Sequence, residues 1–248
     1  MVARVVVIIP TYNERDSLPV QVAAVREHAP EVDILVVDDN SPDGTGQWAS
    51  QQANRDPHLH VLHRPGKEGL GAAYLEGFAW ALERDYTVVV EMDADGSHQA
   101  HQLRDVVDGT QSHDLSIGSR WVSGGAVRNW PRHRRWLSKG ANTYVRFALG
   151  LPVRDATAGF RAYRSTALRG LSLEAVESQG YCFQIDMCWR VWRAGATVTE
   201  VPIEFVEREQ GTSKMSGAII REALIKVTAW GISRRWRQLT RRGTARTT

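Results

Sequence analysis

The sequence predicts an α/β domain with a mostly parallel central sheet flanked by helices. Three observations carry this. Val5-Val6-Val7-Ile8-Ile9, Ile34-Leu35-Val36-Val37 and Tyr86-Thr87-Val88-Val89-Val90 are near-continuous runs rich in β-branched residues, the pattern of strands buried on both faces. Helical segments alternate with them in the order β-α-β-α-β-α-β, whose crossovers are right-handed and whose strands come out parallel. The 248 residues suffice to enclose one large core.

The elements follow in order. The first strand ends at Pro10, and Thr11-Tyr12-Asn13-Glu14 is a loop; Ser17 is placed to N-cap a helix to about His28. The second strand ends at Asp38-Asp39, and Asn40-Ser41-Pro42-Asp43-Gly44-Thr45 is dense turn chemistry before a helix to about Asn54. Leu59 to Leu62 is a short strand, Lys67-Glu68-Gly69-Leu70-Gly71 opens a helix to about Arg84, and Tyr86 to Val90 is the fourth strand. The later half is less regular. Leu115-Ser116-Ile117 reads as a strand, Gly124-Gly125 as a flexible link, Arg132 to Leu149 as a helix with a basic face, and Asp155 to Arg161 as a polar segment. Tyr181 to Ala194 is apolar at helical spacing, Thr197 to Val206 reads as a strand and Glu207 to Gly217 as a polar loop. The expected organisation is one domain over 1–217, with halves meeting near residue 98. An amphipathic helix and basic tail over 218–248 follow.

Apolar content of 42% and charged content of 24% are ordinary for a globular protein. Cys182 and Cys188 lack companions at zinc spacing and suit a reducing compartment. The start runs straight into a strand, so no signal peptide is expected, and no apolar run reaches the length of a membrane span. The net charge is only +3, but it is segregated. No Asp or Glu falls between Leu115 and Arg154, a stretch holding Arg120, Arg128, Arg132, Arg134, Arg135, Lys139, Arg146 and Arg154. Six arginines crowd the chain after Glu222. Such segregation points to an anionic partner. No nucleic-acid reader element accompanies it, so nucleic acid is not an expected partner.

In open parallel sheets, ligands bind outside the carboxyl ends of the strands. Three of those ends carry Tyr12-Asn13-Glu14, Asp38-Asp39 and Glu91-Met92-Asp93-Ala94-Asp95-Gly96-Ser97-His98. Asp93 and Asp95 share a parity, so in an extended backbone both point the same way. Like charges this close call for a cation between them, a hard one such as Mg²⁺ or Mn²⁺. Asp38, on the opposite parity from Asp39, is expected to be structural. Neither a GxGxxG fingerprint after the first strand nor a Walker loop is present.

Pro10-Thr11-Tyr12-Asn13-Glu14, Asp38-Asp39-Asn40-Ser41-Pro42-Asp43-Gly44-Thr45, Met92-Asp93-Ala94-Asp95, Gly118-Ser119-Arg120 and Gly159-Phe160-Arg161 resemble the family-2 inverting glycosyltransferases. With Gly180-Tyr181-x-Phe183-Gln184, Pro202-Ile203-x-Phe205 and Arg208-x-x-Gly211-x-Ser213-Lys214, the set is similar to the polyprenol (dolichol) phosphate mannose synthases. The resemblance runs in register from about Val5 to Gly217. It implies a GT-A fold with a Rossmann-like sheet, GDP-mannose as donor, polyprenyl phosphate as acceptor and Mg²⁺ or Mn²⁺ as cofactor. Residues 1–98 become a nucleotide-sugar half and 99–217 an acceptor half.

Carried over by position, Pro10, Tyr12, Glu14, Val37 and Asp39 line the nucleoside pocket. Asp93, Ala94 and Asp95 hold metal and sugar diphosphate, and Arg208 and Lys214 bind donor phosphate. Arg120 and Arg134 take the acceptor phosphate, with Arg132 and Arg135 leaving the register of the second arginine open; Asp95, Arg120 and Arg134 are thus the expected catalytic residues. Some relatives carry a glutamine where Ser97 stands, and the shorter serine is not expected to reach the metal. The bland alternatives are that Asp39 and Glu14 cap helices, Tyr12 packs, Lys214 is solvated and Arg120 pairs with Asp114.

An acceptor phosphate is already anionic, so no obligatory carboxylate base is expected, only a positive pocket that brings two anions together. The implied reaction inverts α-mannose to a β-linked phosphate. UDP-glucose or another sugar nucleotide is the alternative donor. An inactive nucleotide-sugar sensor or assembly subunit is the alternative of another class. The lipid acceptor implies attachment at the cytoplasmic face of a membrane, either peripherally through the helix from Ala218 or through a membrane-anchored partner.

Overall fold

The structure is a computed structural model and describes residues 3–176, 178, 180–207, 224–233 and 235. Strands β1 (Val5–Thr11), β2 (Asp33–Asp38), β3 (Leu59–His63) and β4 (Val88–Glu91) alternate with helices α1 (Leu18–His28), α2 (Thr45–Ala53) and α3 (Leu70–Glu83). The second half adds α4 (Leu103–Asp108), β5 (Leu115–Ser119), β6 (Ala126–Arg128), α5 (Arg132–Leu149), β7 (Arg161–Arg164), α6 (Ser165–Arg169), α7 (Gly180–Arg193), β8 (Val198–Pro202) and β9 (Glu204–Val206). Seven strands make one sheet in the order β3-β2-β1-β4-β7-β5-β8, and β6 and β9 form a small second sheet. All neighbours pair in parallel except β7, which runs antiparallel to both β4 and β5.

The apolar runs are continuous because both faces of the sheet are covered. Val6, Ile8, Leu35, Val37 and Val89 point into one core with Tyr74 and Phe78 of α3 and Phe183 and Met187 of α7. Val5, Val7, Ile9, Ile34, Val36 and Val90 point into the other, with Leu18, Val22 and Val25 of α1 and Leu103 and Val106 of α4. Burying each such large side chain contributes about 1.5–3 kcal/mol, and β1 and β4 carry no polar residue before Thr11 and Glu91, nor β2 any between Asp33 and Asp38.

The structure corrects three expectations. Ser17 occupies the N-cap position of α1 without capping it: its backbone is helical, and its hydroxyl donates to the Glu14 carboxylate at 2.8 Å. The polar segment from Asp155 leads into β7, a strand that periodicity hides because its first residue, Arg161, is fully buried. That guanidinium donates to the carbonyls of Ala156, Ala158 and Gln184 at 2.6–2.7 Å. Gly124-Gly125, expected as a link, lies in the turn between β5 and β6, with Gly124 at φ +88°. Thr197 to Val206 is two strands in different sheets. Pro202 pairs with Ser119 in the large sheet, and Ile203 then donates to the Ser119 carbonyl and accepts from Ala126 of the small one.

Residues 224–233 are helical. Val227 is buried, Trp230 stacks on Trp189 with ring centroids 5.2 Å apart, and the Thr228 and Tyr144 hydroxyls are 2.7 Å apart. Val227 and Trp230, on the helix expected to lie at the membrane surface, are therefore packed inward, whereas Leu224, Ile225 and Ile232 are exposed. No helix among the described residues is long and apolar enough to cross a membrane.

Candidate active site

The carboxyl ends of β1, β2 and β4 open on a cavity of about 300 Å³, closed on the far side by residues from α5, α7 and the Thr157–Gly159 loop. Its first wall is Pro10, Thr11, Tyr12, Glu14 and Asp39. This wall is built by the turn that follows β2. The Asp38 carboxylate accepts from Thr11 Oγ1 (3.0 Å) and from the Ser41 hydroxyl (2.6 Å) and amide (3.1 Å). Ser41, Thr45 and Asp43 in turn accept from the backbone amides of Asn13, Glu14 and Arg15 at 3.0–3.1 Å. Asp43 would be raised by burial, but hydrogen bonds from Thr45 and Arg15 hold it below the usual carboxylate range. The Asn-Ser-Pro-Asp-Gly-Thr stretch thus grips the Tyr12–Glu14 loop.

Val37 does not line the cavity. It is fully buried in the core beside Ile8 and Leu35, because β2 runs on through Asp38 before reaching the rim. Asp39 does line it, and caps no helix; the N-cap of α2 is Gly44. Burial raises the Asp39 carboxyl, opposed by an ion pair with Arg64. Arg64 is itself buried and also bonded to Glu68 (2.8 Å) and Glu76 (2.9 Å), an anchor that sequence reasoning missed. Lys67, also missed, lies 4.0 Å over the Tyr12 ring and lines the same wall.

The second wall is the carboxylate pair. β4 stops at Glu91, and Ala94-Asp95 form a turn completed by Gly96 at φ +76°, so Asp93 and Asp95 reach the cavity through the turn and not through strand parity. Asp95 Oδ1 accepts from the Ser97 amide at 3.0 Å. The Asp93 amide donates to His98 Nδ1 (3.0 Å), which leaves Nε2 to carry the proton of a neutral ring, 3.7 Å from the Asp93 carboxylate. His98 is buried against Phe160 and was missed; only its place next to the carboxylates hinted at it. Among the described residues no three His, Cys, Asp or Glu side chains converge as a metal site. A cation here would therefore take its protein ligands from Asp93 and Asp95 and fill its shell with substrate phosphate and water. That donor set fits Mg²⁺ or Mn²⁺.

The third wall carries Arg120 and Arg134. Arg120 does not pair with Asp114, whose carboxylate binds Thr197. It is locked in a buried bidentate pair with Asp155 (2.6 and 2.7 Å) and donates to Thr157 at 2.9 Å. Burial would raise Asp155, but the Arg120 guanidinium holds it below the usual value. Arg134 lies 4.2 Å over the Trp130 ring and pairs with Glu207. Of the three candidate arginines, Arg134 lines the cavity; Arg132 is exposed and Arg135 donates to the Val127 carbonyl. Arg208 and Lys214 lie outside the described residues.

Behind Asp93 sits a polar group that the sequence did not reveal. Glu91 is fully buried, and burial pushes its carboxyl up to about 7 against the opposing charge of Arg161. The Gln184 amide and Tyr163 hydroxyl lie beside it and oppose that rise, and the Glu91 oxygens, Tyr163 Oη, Tyr74 Oη and both amide atoms of Gln184 are all closed to solvent.

Comparison with known proteins gives the arrangement its context. Over 236 residues the chain is 55% identical to an undecaprenyl-phosphate mannosyltransferase of Micrococcus luteus, covering 95% of this chain and 97% of the relative. Over 231 residues it is 58% identical to a polyprenol monophosphomannose synthase of Mycolicibacterium smegmatis, covering 92% and 87%. The fold matches that of glucosyl-3-phosphoglycerate synthase from Mycobacterium tuberculosis, solved with Mn²⁺, UDP-glucose and phosphoglyceric acid. The TM-score is 0.67 at 17% identity, over 93% of this chain and 80% of the other. The model of glycosyl transferase family 2 matches residues 6–171, and the chain belongs to that family.

Proposed function

We propose that the protein transfers mannose from GDP-mannose to polyprenyl phosphate, giving polyprenyl phosphate β-mannose and GDP. One observation carries this reading. A single cavity joins the Tyr12–Asp39 wall, the Asp93/Asp95 pair and the two arginines, in a chain matched along most of its length by mannosyltransferases of polyprenyl phosphates. Tyr12, Glu14 and Asp39 receive the nucleoside. Asp93 and Asp95 hold the sugar diphosphate through Mg²⁺ or Mn²⁺, which when bound would neutralise charge growing on the departing group. Arg208 and Lys214 belong to the donor phosphates in this reading.

Arg134 receives the acceptor phosphate, above the fixed charge of Arg120. A phosphate oxygen attacks the anomeric carbon opposite the diphosphate. The carbon–oxygen bond to the diphosphate breaks as the new one forms, and GDP leaves with the electron pair. The nucleophile is already anionic, so no side chain has to take a proton.

The acceptor's chain needs a membrane surface beside this wall. On α5, Trp136 is 75% and Phe147 74% exposed, with Leu137 also exposed, among Arg132, Arg135, Lys139 and Arg146. Apolar and cationic side chains so mixed suit an anionic leaflet. Arg134 comes from the same helix, so docking would bring the lipid phosphate to it.

The test incubates the full chain with labelled GDP-mannose, polyprenyl phosphate and Mg²⁺ or Mn²⁺, followed by lipid extraction. Labelled lipid that releases mannose on mild acid is expected; none with either metal overturns the reading. UDP-glucose in parallel separates the alternative donor. Trp136→Glu with Phe147→Glu is expected to lower sedimentation with anionic vesicles without changing GDP binding.

A further inference from the structure

We propose that Arg64 is a positioning residue for the donor: it holds Oδ1 of Asp39 and so leaves the other carboxylate oxygen, Oδ2, to accept a hydrogen bond from the nucleoside. This rests on the nucleoside reading of the Tyr12–Asp39 wall above and names the residue that shapes it.

The backbone brings the two residues together. β3 pairs with β2 up to His63 and Asp38, and the Arg64 amide then donates to the Asp38 carbonyl at 2.8 Å. The Asp39 amide donates to the Thr11 carbonyl at 3.0 Å, which ties it to the end of β1. The Arg64 side chain is fully buried and does not line the cavity, so it acts on a ligand only through what it holds.

Each guanidinium nitrogen meets a different carboxylate: Nη1 meets Asp39 Oδ1, Nη2 meets Glu68 at 2.8 Å and Nε meets Glu76 at 2.9 Å. Glu68 precedes α3 and Glu76 lies within it, so the planar fork is fixed by contacts beyond Asp39. Burial and the charges of Asp38 and Glu76 push the Asp39 carboxyl up, and Arg64 opposes them.

Asp39 is left with one oxygen to offer. Oδ2 takes no hydrogen bond from the described residues, yet it is not sealed off: the side chain stays 8% accessible and lines the cavity. A carboxylate oxygen meeting an O–H or N–H makes a charge-assisted hydrogen bond. A guanine nucleoside brings both kinds of donor, on its ribose and on its base. With Oδ1 held, the carboxylate meets either of them in one orientation.

The test is a calorimetric cycle on the full chain with Mn²⁺. It reads Kd for GDP, for its 2′-deoxy, 3′-deoxy and 1-methyl forms, and for inosine diphosphate, which lacks the exocyclic amine. In the wild type one of these is expected to bind about 10–100-fold more weakly than GDP, and which one it is separates ribose from base. Asp39→Ala is expected to lose the same factor with GDP and nothing further with that analogue. Arg64→Met is expected to lose about tenfold with GDP and most of the discrimination against that analogue, and to have no further effect once Asp39 is alanine. Arg64→Lys restores the charge at one point and is expected to recover part of the discrimination; it carries the same cycle if methionine does not fold. In the transfer assay the losses are expected in donor KM, with kcat and acceptor KM kept.

Equal losses across all analogues, no discrimination by the wild type, an Arg64 effect undiminished in Asp39→Ala, or wild-type affinity in an Arg64 variant that folds would each overturn the proposal and leave Arg64 to folding alone. Binding of UDP in place of GDP would sink the guanine donor but not this inference. The cycle would then use UDP with its 2′-deoxy, 3′-deoxy and 3-methyl forms, with the same coupling expected. Binding of neither nucleotide would overturn both.

Discussion

The two sides of the cavity are built in different ways. On the donor side, the Tyr12–Glu14 loop is held by neutral or singly charged contacts, Ser41, Asp43 and Thr45 to the amides of residues 13–15 and Asp38 to Thr11, while Asp39 shares the buried Arg64 with Glu68 and Glu76, carboxylates close by in the chain. On the acceptor side, each arginine is neutralised by a carboxylate from far along the chain, Arg120 by Asp155 and Arg134 by Glu207. The acid-free stretch from Leu115 to Arg154 therefore does not make a uniformly positive pocket. The two pairs also differ. Arg120–Asp155 is buried and bidentate, a fixed part of the framework. Arg134–Glu207 is partly exposed, with side chains 19% and 26% accessible, so an acceptor phosphate can replace Glu207 as partner. In the proposed reading, charge is released to substrate at the outer pair.

The largest effect that separates the sides is expected at Asp155. Removing one partner of a buried pair costs about 3–5 kcal/mol, because the other charge stays behind uncompensated. Asp155→Asn is expected to lower unfolding stability by that order, read by urea denaturation. The folded chain holds this carboxyl below its unfolded value near 3.8. Its contribution is thus complete above about pH 4 and fades as pH falls through the folded value. The variant should lose that part of the acid slope. Wild-type stability in Asp155→Asn would mean that Arg120 is not fixed by this pair.

The carboxylate pair comes next. Asp93→Asn and Asp95→Asn are each expected to reduce Mn²⁺-dependent GDP binding by about 100-fold with the melting temperature nearly unchanged. Asp38→Asn, whose carboxylate accepts from Thr11 and Ser41, is expected to do the reverse: a measurable loss of melting temperature and little loss of metal dependence. Equal effects at all three positions would erase the distinction between ligand and scaffold.

A smaller effect tests the exchangeable arginine. Arg134→Ala is expected to raise the acceptor KM about tenfold and leave the donor KM within about twofold, the size of one lost charge-assisted hydrogen bond. Glu207→Gln is expected to lower the acceptor KM, since the phosphate no longer competes with a carboxylate. A donor-only defect in Arg134→Ala would place the acceptor elsewhere.

The same contrast explains what the sequence disclosed. The parallel half was legible because its strands are buried on both faces and its crossovers are helices, so composition and order determine the arrangement. β1, β2, β3 and α5 lie where their patterns put them. β7 was illegible because burial of Arg161 is made possible by three carbonyls from 156, 158 and 184, none of which periodicity detects. Asp155, Glu207, Arg64 and His98 were illegible for a related reason: each acquires its role from a partner or a wall that only the fold brings near. Arg120 and Arg134 were legible as cations, but not as cations already engaged.

The smallest expected effect bears on the motif that did most to identify the chain. Ser41, Asp43 and Thr45 hold the Tyr12–Glu14 loop and are absent from the cavity wall. If they act only through that loop, Thr45→Val removes one hydrogen bond to the Glu14 amide and relaxes Asp43, at about 1 kcal/mol of stability. The loop's loosening should then appear as a donor KM raised about two- to fivefold, with kcat and acceptor KM unchanged, because the arginine side is anchored through Asp155 and does not share the contact. A change in kcat, or an equal change in both KM values, would show the two sides to be mechanically coupled and would remove the contrast between them.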